Sequence, residues 1–504
     1  MTLPALTPVV CERGVMVILR NKRRTLLLGG ALALMAAPAL AQTEPRLDRL
    51  QQELDALRAQ LSDLRQAQGN LDNSAALADL KRATGDQYVD LAGRIGALPK
   101  VGLDNGRLTV ASADGDFTFA LRGLIQYDIG YFAQGRNGTV PDLSSGTNFR
   151  RAQVGFTGTA FRDWAYNLTF DFAGNGIEKS GYIYNAYLEY DGLKPFALRI
   201  GAYTPPAGLE DQTGSGDLLF LERASAVDAA RNIAGAPSRQ AVTLFLQEAD
   251  YFAALSYTGQ KVGDSAAFDE QQAVIGRIAW LPVNTPDFKW LLDADATWLF
   301  KPTDIVAGTV PLTTPLHAVA LSGGPELAVD NNGPKTVNTG AIDADSVTEF
   351  GAETAAEYDA LYLQGGWFHY DFQRRNPALP DPGFNGWYAL ATWSLTGETH
   401  AYDPSTASFR GLRPLHGLGS GGFGAWELKA RYSFLDLDDD PLTGSAAGGI
   451  AGGKQAVWTV GANWYPTNGI RFTLEYSNLH VRHVNAPAGN ISADEFGLRT
   501  QLSL

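Results

Sequence analysis

The sequence predicts an all-β transmembrane β-barrel of about 16 antiparallel strands, preceded by a short N-terminal α-helical coiled coil. Two observations predict the barrel. Apolar and polar residues alternate with a period of two along segments of about ten residues, the length that a tilted strand needs to cross a bilayer, and tryptophans lie near the ends of these segments. A third observation predicts the coiled coil, because leucines near the N terminus repeat at alternating spacings of three and four.

Composition excludes several other classes of protein. The chain has 504 residues, a formal net charge of −14 and one cysteine, Cys11. A disulfide scaffold and a zinc site built from thiolates are therefore excluded. Residues after 41 contain no apolar run long enough for a spanning helix, and no basic patch favours nucleic acid. No histidine lies in a recognisable nucleophile motif, so we expect no enzymatic activity, no cofactor and no metal site.

Residues 1–41 have the pattern of a secretory signal peptide. A basic segment at 21–24 precedes an apolar stretch at 25–38, and Ala39-Leu40-Ala41 matches a small-x-small cleavage motif. The residues before Met16 fit neither a signal nor a fold, so Met16 is the expected start of translation. We therefore expect the protein in the outer membrane of a Gram-negative bacterium, with its coiled coil in the periplasm.

Residues 42–82 are predicted to form that coiled coil. The seam consists of Leu47, Leu50, Leu54, Leu57, Leu61 and Leu64. These leucines occupy the a and d positions of successive heptads, and one helix alone cannot bury such a stripe. The seam predicts self-association, most simply as a parallel oligomer, and the alternative is a helix that packs against its own chain. Residues 83–114 are predicted to be a linker.

Residues 115–504 are predicted to form the barrel. The segment 426–433, for example, sets Trp426 and Leu428 on one face and Glu427 and Arg431 on the other. A soluble β-sandwich would also alternate, but here charged residues recur on the polar face of strand after strand, which is typical of a water-filled barrel. Residues 302–348 lack this pattern and are interpreted as a surface loop, with at most a weak strand inside it.

Four stretches of the sequence resemble the phosphate-selective porin O and P family of outer-membrane channels. They lie at 148–156 with 164–167, at 199–203 with 220–224, at 395–398 with 402–403, and at 424–433 followed by 461–466. The first reads Asn-Phe-Arg-Arg-Ala-Gln-Val-Gly-Phe, and the last begins Gly-Ala-Trp-Glu-Leu-Lys-Ala-Arg-Tyr-Ser. Their order and spacing match over residues 115–504.

The resemblance implies a homotrimer of sixteen-stranded barrels in contact with outer-membrane lipid and lipopolysaccharide. It also implies a porin whose water-filled channel lets small solutes diffuse passively, biased to anions such as phosphate, past a loop that constricts the pore. The heptad helix is additional to this barrel. Its seam offers a clamp for three chains, or a contact with the cell wall or a periplasmic partner.

Inward-facing arginines are the candidate anion pathway. The guanidinium group is always charged and presents a planar fork to phosphate oxygens. By strand parity, the arginines on polar faces are Arg122, Arg151, Arg199, Arg431, Arg471 and Arg499. The alternative is that each arginine pairs with an acid of the barrel wall, such as Asp128, Glu189 or Glu475.

Residues 205–240 are predicted to be the loop that folds inward. They contribute Arg223, Arg231 and Arg239 together with several acids, so this loop predicts a transverse field as well as an anion trap. Residues 205–239 contain no lysine, so the lysine cluster of the family is not matched. The arginines favour an anion-biased channel, whereas the missing lysines favour a general diffusion porin with weak or cation selectivity. A third alternative is a porin that also tethers the outer membrane through its coiled coil.

Overall fold

A computed structural model describes residues 33–67, 74–104, 106–135, 142–173, 181–264, 269–304, 317–329, 333, 335–484 and 489–504. The chain divides into two compact units, Met1–Leu98 and Pro99–Leu504. In these described ranges, no helix combines the length and the hydropathy required to cross a membrane. Most of the predicted signal segment, residues 1–32, lies outside the described residues, as do residues 68–73 of the predicted coiled coil.

The described residues of the N-terminal unit form two helices, α1 (Ala33–Ala67) and α2 (Ser74–Gly96), which pack against each other. Leu50 of α1 and Leu91 of α2 are buried, and Arg94 lies 3.6 Å from Glu53. Residues 83–114, predicted as a linker, therefore contain the second half of α2 and, in the other unit, a hairpin of strands Lys100–Asp104 and Arg107–Ala111. The sequence did not predict α2, because Thr84 and Gly85 interrupt the spacing of its apolar residues.

Sixteen strands of the described chain form a closed antiparallel barrel, and each strand pairs with the next in sequence. They are β1 (Thr118–Gln134), β2 (Gly146–Ala160), β3 (Trp164–Asp171), β4 (Tyr182–Leu193), β5 (Phe196–Tyr203), β6 (Arg239–Gln247), β7 (Tyr251–Lys261), β8 (Gln272–Asn284), β9 (Phe288–Lys301), β10 (Ile342–Tyr358), β11 (Leu361–Arg374), β12 (Gly383–Ser394), β13 (Ala425–Asp439), β14 (Ile450–Thr467), β15 (Ile470–Arg482) and β16 (Ile491–Ser503). Closure comes from β16 and β1, where Leu502 lies opposite Ile125. The predicted antiparallel barrel and its number of strands are confirmed.

The two faces of the wall follow the predicted alternation. Large apolar side chains such as Ile129, Trp280 and Trp298 are exposed on the outside, where a bilayer would cover them. Charged side chains such as Asp128 and Arg499 are buried inside the barrel. The alternation of each strand thus places apolar surface toward lipid and polar surface toward the lumen.

In the part of the chain that the structure describes, three connections fold into the lumen. Residues 204–238, between β5 and β6, contain the short helix α3 (Leu209–Gln212) and the helix α4 (Ser225–Ala234). The described part of 302–341, between β9 and β10, contains short strands Ala318–Val319, Ser322–Gly323 and Val337–Asn338. Residues 395–424, between β12 and β13, contain Tyr402–Asp403 and Ser408–Phe409 and enter from the opposite end. A 3₁₀ turn, Ser445–Ala447, precedes β14.

Apolar packing holds the first inward connection against the wall. Buried residues of α4, including Ala226, Val227 and Ile233, share one core with Phe368 and Phe384 of the wall. The hydroxyl of Tyr370 donates a 2.6 Å hydrogen bond to the carbonyl of Ala226. The prediction that 205–240 folds inward agrees with this arrangement.

The prediction that residues 302–348 form a surface loop is wrong for the described part. Strand β10 begins at Ile342, and Glu326, Leu327 and Val329 are buried. A Cβ built on Gly130 of β1 would overlap the Val329 side chain, so this connection packs tightly on the wall. Its few buried apolar residues lie among Gly, Pro and Asn, and no periodic pattern marks them.

Candidate functional site

Two polar cavities adjoin in the lumen, with volumes of about 590 and 240 Å³. Both are lined by Arg122, Gln212 and Asp217. Their combined lining includes eight arginines, Arg107, Arg122, Arg199, Arg223, Arg231, Arg410, Arg413 and Arg471, and four aspartates, Asp104, Asp211, Asp217 and Asp403. Lysine and glutamate are absent from this lining in the described part of the chain. The charged side chains of this passage are therefore predominantly cationic.

Four of the nine predicted arginines form ion pairs. Arg199 lies 2.6 Å from Glu189, and Arg231 pairs with Asp211. Arg431 pairs with Glu326 and lies 3.5 Å from Glu210. Arg499 lies 2.6 Å from Asp128 and 3.2 Å from Glu222. For these four arginines the geometry agrees with the alternative that each pairs with an acid. Some of these acids lie on inward connections and not on the barrel wall.

The other five lack a carboxylate within ion-pair distance among the described residues. Arg223 donates to the carbonyls of Glu210, Asp211 and Thr213, and Arg239 donates to those of Gly235 and Gly259. Arg151 donates to the Gln126 side chain at 2.7 Å. Arg471 donates to the Leu218 carbonyl and to Gln501. Arg122 is exposed at the junction of both cavities. In the described part of the chain, these five arginines are therefore held by carbonyl and amide groups or face the cavities, and none forms a direct ion pair.

Glu222 is the acid that joins the first inward connection to the arginines of the wall. Arg150 lies 2.6 Å from it, and Arg499 lies 3.2 Å from it. Burial alone would raise the pKa of the Glu222 carboxyl, but Arg150, Arg151 and Arg499 outweigh burial and hold that pKa well below its usual range. Glu222 therefore stays ionised at any physiological pH.

Arg150 was missed because of a β-bulge. Gln126 lies opposite Arg151, and Tyr127 lies opposite Phe149, so Arg150 is the extra residue between them. A bulge places two successive residues opposite one and breaks the alternation of faces. Strand parity assigns Arg151 to the lumen and cannot place its direct neighbour Arg150 there as well.

Other inward cations also have specific partners. Arg277 of β8 lies 2.7 Å from Asp293 and donates to the carbonyls of Thr406 and Ala407. Lys429 of β13 lies 2.6 Å from Glu475. The alternation of β13 predicts that Lys429 points inward. The contacts of Arg277 with residues 406 and 407 depend on a reversal of the chain direction, and no sequence motif predicts that reversal.

The connection 395–424 is fixed by a buried histidine. His400 lies 3.0 Å from Glu427, and its Nδ1 lies 2.7 Å from the Arg410 carbonyl. Burial alone would lower the pKa of His400, but the Glu427 carboxylate outweighs burial and raises that pKa above its ordinary value. This pair holds the segment that supplies Arg410 and Arg413 to the larger cavity.

Glu210 gives a testable pH dependence. Burial in the first inward connection raises the pKa of Glu210 from 4.5 to about 7, although Arg431 and Arg223 partly offset it. Between these two pH values the folded protein holds a proton that the unfolded chain has lost, so stability falls as pH rises through this window. We expect Glu210→Gln to remove about 3 kcal/mol of this decline.

The measurement is the free energy of unfolding of the detergent-solubilised barrel in guanidinium at pH 5 and pH 8. The difference between wild type and Glu210→Gln isolates Glu210, because the decline that His400 contributes is common to both proteins. Glu248→Gln, an exposed residue, is the matched control. Parallel pH curves for wild type and Glu210→Gln would contradict the prediction.

A family model described as "Phosphate-selective porin O and P" matches residues 119–504 of the chain. Porin O of Pseudomonas aeruginosa is 26% identical over 409 residues, which cover 79% of this chain and 90% of that protein. An uncharacterized protein of Caulobacter vibrioides is 27% identical over 380 residues, covering 72% of this chain and 69% of the relative.

Solved structures of outer-membrane proteins are similar at low sequence identity. OmpT of Vibrio cholerae has a TM-score of 0.46 at 11% identity, covering 77% of this chain and 98% of that chain. An anion-selective porin from Comamonas acidovorans has a TM-score of 0.46 at 13% identity, covering 77% of this chain and 100% of that chain.

Proposed function

Because the chain belongs to the phosphate-selective porin O and P family, we propose that this outer-membrane diffusion channel is biased to anions, phosphate among them. The observation that supports this bias is the lining of the two adjoining cavities, which contains eight arginines and four aspartates. A lumen with an excess of one charge concentrates counter-ions and repels ions of the same sign.

The anion pathway rests on arginines that form no ion pair among the described residues. Arg122 belongs to both cavities, and Arg413 and Arg471 line the larger one. A guanidinium group can donate two parallel hydrogen bonds to a phosphate. An anion can pass from one such group to the next without the tight binding that would stop its release.

The first experiment measures the zero-current potential across a planar bilayer that holds the purified protein in a KCl gradient, followed by addition of phosphate. We expect a potential of the anion sign and a chloride current that phosphate reduces. A potential of the cation sign, or one near zero without block, would contradict the proposal and favour the general diffusion porin. Absence of conductance would contradict the channel itself.

We also propose that the helical unit strengthens self-association into a homotrimer on the periplasmic side, after removal of a signal peptide. Leu61 is 40% exposed and Leu80 is 46% exposed, although both lie on helices that pack together. Packing of α1 against α2 thus leaves part of the leucine seam uncovered. The same seam in two further copies of the chain would bury it. A cell-wall or periplasmic partner is the alternative occupant.

Deleting residues 43–96 is expected to leave single-channel conductance intact and to lower the temperature at which the oligomer dissociates, because the barrel is a separate compact unit. Semi-native electrophoresis after heating measures this temperature. Leu57→Gln with Leu61→Gln should act in the same direction, whereas Gln60→Ala, which removes an exposed polar side chain, should not. If the deletion leaves the oligomer unchanged but the cells shed outer membrane, the result would favour a helical unit that tethers the outer membrane.

A further inference from the structure

Four carboxylates lie together on the lumen face of two adjacent strands. In the register of β9 and β10, Asp293 lies opposite Glu353, and Asp295 lies opposite Gly351. One carboxylate oxygen from each of Asp293, Asp295 and Glu353 lies within 4.8 Å of the others. All three side chains are buried. Glu349 is two residues before Gly351 and, by the alternation of β10, faces the same side as Glu353.

The hydrogen bonds of this group leave several oxygens unused. Glu353 accepts from the backbone N–H groups of Leu209 and Glu210 and from the Tyr388 hydroxyl. Asp293 Oδ2 accepts from Arg277, but Asp293 Oδ1 has no hydrogen-bond partner among the described residues. Neither oxygen of Asp295 has one in that part of the chain.

Glu349 gives an independent observation. Its side chain is 0% exposed, and within the described structure neither of its oxygens has a hydrogen-bond partner. The group thus contains four carboxylates, and Arg277 is the cation that pairs with one of them. Burying an unpaired carboxylate costs several kcal/mol. A positively charged ligand would remove that cost.

We propose that Asp293, Asp295, Glu349 and Glu353 form a binding site for one divalent cation of the calcium class. The donors are all carboxylate oxygens, which hard cations prefer. Calcium–oxygen distances of about 2.3–2.6 Å place two oxygens on opposite sides of one ion about 5 Å apart, and the observed spacing is within that limit. Calcium tolerates irregular, largely dehydrated carboxylate sites, whereas magnesium retains several waters.

Two glycines keep space around these carboxylates. A Cβ on Gly351 would overlap Oδ1 of Asp295, and a Cβ on Gly208 would lie 2.5 Å from Oε2 of Glu353 and 3.3 Å from Oδ1 of Asp295. Gly208 has φ +103 and directly precedes α3, whose first residue, Leu209, donates to Glu353. The ion therefore binds where the first inward connection meets the wall, and its role is to fix that connection.

The test compares calcium binding to refolded wild type, Asp295→Asn and Glu349→Gln. Each protein is stripped with a chelator and equilibrated with calcium, and bound calcium is measured by mass spectrometry. We expect about one ion per chain fewer in each variant than in wild type. Calcium should raise the temperature at which wild type unfolds and have a smaller effect on the variants. Calcium bound through lipopolysaccharide is common to all samples and cancels.

Glu495→Gln is the matched control, because Glu495 is another buried wall carboxylate with two unpartnered oxygens in the described structure and lies outside the group. It should retain the ion. The proposal would be overturned if all proteins bound equal calcium, or if calcium left the unfolding temperature of wild type unchanged. Either result would indicate that protons, and not a cation, neutralise these carboxylates. If Asp295→Asn does not refold, Glu349→Gln alone decides the outcome.

Discussion

Replacing Glu222 with glutamine is expected to lower the stability of the folded barrel by about 3 kcal/mol, because breaking a buried ion pair leaves an uncompensated charge. Arg150 loses the carboxylate that lies 2.6 Å from it, while Arg499 keeps Asp128. The substitution also removes one negative charge from the inward connection, so anion preference should increase. Guanidinium unfolding measures the first effect, and the zero-current potential measures the second.

Glu248→Gln is the control for Glu222→Gln, because it removes the same charge from an exposed position at the end of β6. It should change neither quantity. A Glu222→Gln protein with wild-type stability would show that Arg150 and Arg499 do not depend on this carboxylate. Lower stability without a change in potential would show that the charge of Glu222 does not reach the ion path.

Reversing the charge at Arg122 is expected to have the largest effect on selectivity. Arg122→Glu changes the charge by two at the junction of both cavities, and we expect the anion-to-cation permeability ratio to fall about tenfold, which corresponds to roughly 1.4 kcal/mol. Stability should change by less than about 0.5 kcal/mol, since Arg122 is exposed to the lumen. Reversal potentials in a KCl gradient measure the ratio.

Two further variants separate the effect of the charge of Arg122 from specific phosphate binding by its guanidinium group. Arg162→Glu reverses a charge on the turn between β2 and β3, where Arg162 lies 2.8 Å from Asp116, and should leave the ratio unchanged. Arg122→Lys keeps the charge but loses the planar fork, so chloride selectivity should persist while phosphate block weakens. Equal phosphate block in Arg122→Lys and wild type would exclude bidentate binding at this position.

Strand alternation predicted the wall and many of its lumen residues. Arg499 and Arg431 were assigned to the polar face and lie inside, because a period of two leaves an inward residue little freedom. Arg150 was not predicted, since one bulged residue reverses the alternation of faces along β2. The leucine seam predicted α1, but not α2, the helix that packs against it.

The partners of the inward residues could not be predicted. Glu353 binds Leu209, and Arg277 binds residues 406 and 407, so each contact joins segments brought together only when the barrel closes. The sequence around 205–240 indicated an inward loop by its length and its charges. It contains no information on which strand receives each charge, because that depends on the depth to which the connection descends.

The ion pair of Arg499 and Asp128 has a consequence for the order of folding. These residues are 371 positions apart, lie on the last and first strands, and share Glu222 of the inserted connection through Arg499. Until the final strand is made, both edges of the sheet are unpaired, and a bilayer does not tolerate an open edge. Closure of the barrel by β16 and β1 and packing of the first inward connection in the lumen are therefore one late step of folding. A chain that lacks residues 491–504 should stall before it as an unsealed intermediate that proteases can cleave.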